Sequence, residues 1–288
     1  MSKVERDEHS GTETTGHEWD GIKELDTPMP RWWLWSFYAC IVWSIGYWIV
    51  MPAWPLVSDY TRGMLGYSSR ALVTEELATV AAGRAEVTKA LQETELADVK
   101  NNQELYQFAV SGGRSHYAVN CSQCHGSGAQ GGPGFPNLND DDWLWGGKVD
   151  EIYATIQYGI RSDHDETRTG EMPAFLKDEI LEKGQVNDVT EYVLSLSQEG
   201  RDAEAVARGK EVFMNECASC HGENAKGGRE FGAPNLTDAI WFYGGDKETV
   251  QKTIANGRQN VMPAWADRLD DTVIRQIALY VHSLGGGE

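Results

Sequence analysis

Two stretches of this chain carry residues able to hold a redox centre. "CSQCHGSGAQGG" (121–132) and "CASCHGENAKGG" (217–228) each place two cysteines and a histidine in the pattern C-x-x-C-H. Two cysteines about one helical turn apart can reach the two vinyl groups on one edge of a haem. The adjacent histidine then lies under the ring and can take the fifth position of the iron. Cys121, Cys124, Cys217 and Cys220 are therefore read as thioether anchors, and His125 and His221 as axial ligands. A zinc site would need further Cys or His ligands close by, and neither copy has them. Thioredoxin-like chemistry would need a βαβ setting, which is missing. Of five cysteines only Cys40 lies outside the two motifs, so no disulfide framework is indicated.

A sixth ligand is expected from methionine, the usual partner of histidine in electron-transfer cytochromes. Met172 follows His125 by 47 residues and Met262 follows His221 by 41, and each is followed by Pro-Ala-aromatic. The proline fixes the local backbone and lowers the entropy lost when sulfur is held. The expectation is that each methionine serves the haem of its own module. An exchange, with each reaching the other haem across a two-fold contact, is left open. Six ligands on each iron argue against oxygen binding and for electron passage. His164 is the one further histidine placed where it could replace Met172, and its loop setting favours a solvated role. The acidic run Asp140–Asp142 is read as a solvated face. The glycine pairs 131–132 and 227–228 are read as loop residues, since no phosphate-binding pattern surrounds them.

The elements that position these groups come as a duplicated module. "SGGRSHYAVNCSQCHG" (111–126) parallels "ARGKEVFMNECASCHG" (207–222) at an offset of 96. "PNLNDDDWLWGGK" (136–148) parallels "PNLTDAIWFYGGD" (234–246) at an offset of 98, and "IQYGI" (156–160) parallels "IANGR" (254–258). "EMPAF" (171–175) parallels "VMPAW" (261–265) once the first copy has taken eight extra residues around "RSDHDETRTG". Closing helices are predicted on the stripes Val189, Tyr192, Val193, Leu196 and Ile274, Ile277, Ala278, Val281.

Residues 32–57, "WWLWSFYACIVWSIGYWIVMPAWPLV", contain no charge and six of the eleven tryptophans. A helix needs about 20 apolar residues to cross a bilayer, and aromatic residues at both ends fit the interfaces. A retained transmembrane helix is predicted, with Pro52 and Pro55 at its exit. Covalent haem attachment belongs to the far side of the inner membrane, so the modules are expected in the periplasm and the N-terminus in the cytoplasm. The resulting plan is all-α. It runs as a mostly disordered tail over 1–31, a transmembrane helix over 32–57 and a helical linker over 58–104. Cytochrome c domains of class I follow over 105–200 and 201–288.

The net charge of −19 excludes a nucleic-acid binder. Residues 105–200 hold six Lys/Arg against fifteen Asp/Glu, a net of −9, whereas 201–288 hold ten against thirteen, a net of −3. The first module is thus the one expected to meet a basic donor.

Three further blocks carry a resemblance: "HEWDGIKELDTPMPRWWLW" before the span, "GYWIVMPAWPL" at its exit and "LGYSSR" after it. With the two haem modules, they resemble the membrane-anchored dihaem subunit of cbb3-type cytochrome c oxidases. The likeness covers nearly all of the chain from residue 17 on. It implies a non-catalytic electron-transfer subunit of the bacterial inner membrane with two covalently bound haems c. Electrons would come from a donor c-type cytochrome or the bc1 complex. They would go to a monohaem subunit, then to the catalytic subunit that reduces oxygen and pumps protons. The rivals are a free membrane-anchored shuttle, a dihaem peroxidase or dehydrogenase, and a haem sensor.

Overall fold

The structure is a computed structural model that describes residues 4–238 and 240–288. It divides into two compact units, one reaching to Ala82 and one from Gly83 to Glu288.

The first unit opens with a two-stranded antiparallel hairpin, β1 (Thr14–Trp19) and β2 (Ile22–Leu25). Its turn is Asp20-Gly21, both with positive φ (51° and 85°), the geometry that a two-residue hairpin loop favours. This corrects the expectation of a mostly disordered tail. Helix α1 (Arg31–Val50) follows Pro30 and buries none of its side chains. It is the one helix among the described residues long and apolar enough to cross a membrane. The helix stops at Val50, so residues 51–57 of the expected span lie outside it. The exit loop folds back on the helix end instead: Met64 N–H donates to Ile49 O at 3.0 Å and Leu65 N–H to Val50 O at 3.1 Å. These bonds satisfy carbonyls that a helix end leaves open. Gly63 (φ +71°) allows the approach, since a Cβ there would run into the carbonyl of Val50.

Helix α2 (Ser69–Glu93) leads into the second unit. Its early apolar residues Leu72, Leu77 and Val80 are exposed, while Leu91 is fully buried. A 3-10 turn over Leu96–Asn101 adds Leu96 and Val99 to the same core.

The rest of the second unit is two sets of helices. The first repeat supplies α3 (Gln103–Asn120), α4 (Ser122–His125), α5 (Val149–Tyr158) and α6 (Lys183–Ser195). The second supplies α7 (Ala203–Glu216), α8 (Ala218–His221), α9 (Lys247–Asn256) and α10 (Asp271–His282). Helix starts are set locally: Asn102 accepts from Leu105 N–H, Asp202 from Ala205 N–H and Asp246 from Thr249 N–H.

The repeats do not close on themselves. Helix α10 packs on α3 and α5, and α6 packs on α7 and α9. Both crossings use a glycine. A Cβ at Gly113 would strike the backbone of Gln276, and a Cβ at Gly209 the backbone of Asp188. Ring pairs sit beside each glycine: Tyr117–Tyr280 at 5.3 Å and Tyr192–Phe213 at 5.2 Å. Each opening helix therefore meets the closing helix of the other repeat. One core joins Leu91, Tyr117, Ile152 and Ile156 with Ile274, Ile277 and Val281. The other joins Val186, Val189 and Val193 with Phe213, Val250 and Ile254. Burying each such side chain is worth about 1.5–3 kcal/mol. The boundary expected at 200/201 thus marks the repeat and not the packing, because it falls within the α6–α7 pair.

Candidate functional site

Each C-x-x-C-H stretch begins where a long helix ends. Cys121 closes α3 and opens α4, and Cys217 stands in the same way between α7 and α8. The one-turn helix turns the two cysteines and the histidine toward a common space. Gly126 (φ +84°) and Gly222 (φ +76°) then break it. The loop beyond folds back over the histidine, with Gly131 N–H donating to His125 O and Gly227 N–H to His221 O, both at 2.8 Å. Gly131 and Gly227 have positive φ and face backbone at close range, which explains the glycine in both copies.

The two histidines are held alike. His125 Nδ1 lies 3.2 Å from Pro136 O, and His221 Nδ1 lies 3.1 Å from Pro234 O. A carbonyl can only accept, so Nδ1 carries the proton and Nε2 is left bare, as an iron ligand requires. Burial lowers the pKa of both rings, and the proline carbonyl opposes this more weakly. Burial also pushes the Cys121 thiol up to about 11 and the Cys217 thiol up to about 12. Disulfide oxidoreductases need the reverse, a thiol of depressed pKa.

A largely apolar cavity of about 590 Å³ runs through this unit, lined by all four cysteines, both histidines, Met172 and Met262. The donor set and the lining fit two covalently attached haems. The methionines enter crosswise. Met262 packs against the core that holds Cys121, and Met172 against the core that holds Cys217. Ile160 and Met262 exchange backbone hydrogen bonds at 2.9 and 3.0 Å, and Met172 and Arg258 do so at 3.4 and 3.2 Å. The aromatic residue after each Met-Pro-Ala crosses as well: Trp265 N–H donates to Ile156 O and Phe175 N–H to Ile254 O, both at 3.2 Å. The packing sets each methionine against the core of the other repeat's C-x-x-C-H stretch, the arrangement left open above as the exchange. The physical reason is the exchange of closing helices, since each Met-Pro loop travels with the helix that follows it.

His164 sits in the inserted segment, its ring tilted against that of Tyr158 at 4.9 Å, and its Nδ1 accepts from Glu166 N–H. It is not among the residues lining the cavity. The acidic run is less uniform than expected. Asp142 reaches the cavity wall, and burial, with Asp238 and Asp140 nearby, pushes its pKa up to about 6. Sequence reasoning also missed Gly159 and Gly257, on which the methionine strands rest. Both have positive φ, and a Cβ on either would strike the carbonyl of Met262 or Met172. The matched "YGI" and "NGR" of the two repeats were the available signal.

Known proteins resemble the chain over nearly its whole length. The N-terminal domain of cytochrome oxidase-cbb3, FixP, matches residues 11–58. Cytochrome c matches residues 110–197, and cytochrome c oxidase, cbb3-type, subunit III matches 204–281. The chain is 53% identical over 288 residues to the cbb3-type cytochrome c oxidase subunit FixP of Bradyrhizobium sp. (strain ORS 278), covering 99% of this chain and 98% of that one. It is 54% identical over 283 residues to FixP of Rhizobium meliloti (strain 1021), covering 98% and 97%. It is 50% identical over 295 residues to subunit CcoP of Azospirillum brasilense, covering the whole of both chains.

Proposed function

Since the chain belongs to the FixP/CcoP family of cbb3-type cytochrome c oxidase subunits, we propose that it is the electron inlet of such an oxidase. It takes electrons from a donor c-type cytochrome or the bc1 complex and hands them to a monohaem subunit. That subunit serves the catalytic one, which reduces oxygen and pumps protons. This chain itself holds no catalytic residue.

Cys121 and Cys124 would hold the first haem covalently, and Cys217 and Cys220 the second. His125 and Met262 would hold the first iron, and His221 and Met172 the second. The haem irons supply the one-electron redox couple. The chain's own residues fix everything around it. Pro136 O and Pro234 O hold the histidine tautomers, the cores exclude water, and the backbone bridges at Ile160 and Arg258 hold the methionines. The observation that carries the reading is this crosswise approach of each methionine to a cavity wall whose histidine has a bare Nε2. A thioether ligand raises the potential, as a high-potential relay requires.

Helix α1 anchors the chain in the bacterial inner membrane, with the N-terminus in the cytoplasm and the haem domains in the periplasm. Covalent haem attachment on the outer side supports this orientation. The acidity of residues 105–200 supports a basic donor, whose encounter would slow as salt rises.

The test is oxygen uptake, driven by reduced cytochrome c, on tagged chain extracted gently from membranes with its bound subunits. Sustained uptake that falls when Met172 or Met262 is replaced fits the inlet. Two haems in the chain with no bound subunits and no uptake would leave a free shuttle.

A further inference from the structure

The cavity wall holds two arginines, Arg161 and Arg258. Both are half-buried, and neither forms an ion pair among the described residues. Glu171 lies near Arg161 on the same wall but beyond ion-pair distance, so in a chain of net charge −19 neither half-buried guanidinium is closed by a carboxylate of its own.

The second repeat uses one arginine. Arg258 lies over the Tyr243 ring at 3.6 Å, and its Nε and Nη2 donate to Thr253 Oγ1 at 3.1 and 2.6 Å. The matching residue of the first repeat is Ile160, at the offset of 98, so the first repeat has no cation there. The inserted segment makes up the difference with two. Arg168 lies over Trp145 at 5.3 Å, and its Nε donates to Thr155 Oγ1 at 3.0 Å. Trp145 and Thr155 are the counterparts of Tyr243 and Thr253 at the same offset. Arg168 thus takes the buttressing place of Arg258, but Trp145 stands between it and the cavity. Arg161 takes the cavity-facing place. It sits in the left-handed region (φ 51°), its N–H donates to Arg168 O at 2.7 Å, and its Nε donates to Asn260 O at 2.7 Å across the seam. Its Nη1 donates to Gly170 O. Each of Arg161 and Arg258 has thus committed two N–H groups of its five, leaving about three donors uncommitted.

We propose that Arg161 and Arg258 pair with the propionate carboxylates of the two haems at this seam, and that the insertion divides between Arg161 and Arg168 the two roles that Arg258 combines. The guanidinium fork matches a carboxylate in shape and charge. Positive charge there offsets the carboxylates and favours the reduced iron, so its loss lowers the potential of the adjacent haem. The proposal rests on the haem reading above.

The test is a redox titration of the haem-loaded full chain as wild type, R161Q, R258Q and both together. R161Q is expected to lower one wave about tenfold in its reduction equilibrium, or about 59 mV for one electron. R258Q should lower the other wave, and the double variant both. T253V, which frees Arg258 without removing its charge, should shift the R258Q wave less, in the same direction. If R161Q does not take up haem, R161K is read in its place: a potential within about twofold of wild type supports the pairing. Haem-loaded variants whose waves do not move, or in which R161Q and R258Q move the same wave, overturn it. Absence of covalent haem from the wild type would instead end the haem reading itself.

Discussion

Gly159 and Met262 meet at the seam of the haem unit, where Gly159 (φ +73°) leaves room for the carbonyl of Met262 and nothing more. Gly257 and Met172 repeat the relationship in the other half. The extended, positive-φ backbone of both glycines, with ψ of −172° and −179°, is open almost only to glycine and costs other residues about 1–3 kcal/mol. Gly159→Ala should therefore destabilise the fold by at least about 2 kcal/mol, clash included. It should also loosen the hold on Met262. Denaturant titration of the haem-loaded chain, with the methionine-to-iron absorption band followed in parallel, checks both.

The exchange of closing helices makes a second prediction. A fragment of residues 105–200 would hold α6 without its partner α7, and α3 without its partner α10. Its Tyr117 and Val189, each fully buried or nearly so in the whole chain, would face water. It should show no cooperative unfolding transition. A fragment of residues 170–260 keeps the whole α6–α7–α9 core and should unfold cooperatively. Circular dichroism against denaturant distinguishes the two.

Asp142 makes a third. Its pKa is pushed up to about 6, against 3.8 unperturbed, chiefly by burial and then by Asp238 and Asp140. Between those values the folded chain binds more protons than the unfolded one, so Asp142 lowers stability as pH rises through that window. Asp142→Asn should thus raise the denaturation midpoint at pH 8 more than at pH 4. An equal change at both would contradict the assignment. The group is half exposed in effect, and solvent keeps the gain small.

Much of this was legible in the residues. C-x-x-C-H, the Met-Pro loops and five blocks repeated in order pointed to two haem sites and to eight histidine, cysteine and methionine residues, all of which line the same cavity. The exchange was not legible from the stripes. Val189, Tyr192 and Val193 on α6 and Ile274, Ile277 and Val281 on α10 present similar apolar faces, and either could cover α3 or α7. The deciding feature is connectivity: only residues 196–202 separate α6 from α7, and a short link favours antiparallel neighbours. The hairpin over 14–25 carried its own sign, an Asp-Gly pair between Trp19 and Ile22, hidden by the polar composition around it. The seam arginines were not legible because Arg161 lies in the one segment with no counterpart in the other repeat and Arg258 has Ile160 as its counterpart.

The exchanged ligation itself is tested most directly in a chain with a single haem. Replacing Cys121 and Cys124 with serine leaves only the haem on Cys217 and Cys220. In that background Met172→Ala should open the reduced iron to carbon monoxide, seen as a shift of its main absorption band, while Met262→Ala should leave it closed. Carbon monoxide binding with Met262→Ala, and none with Met172→Ala, would contradict the account.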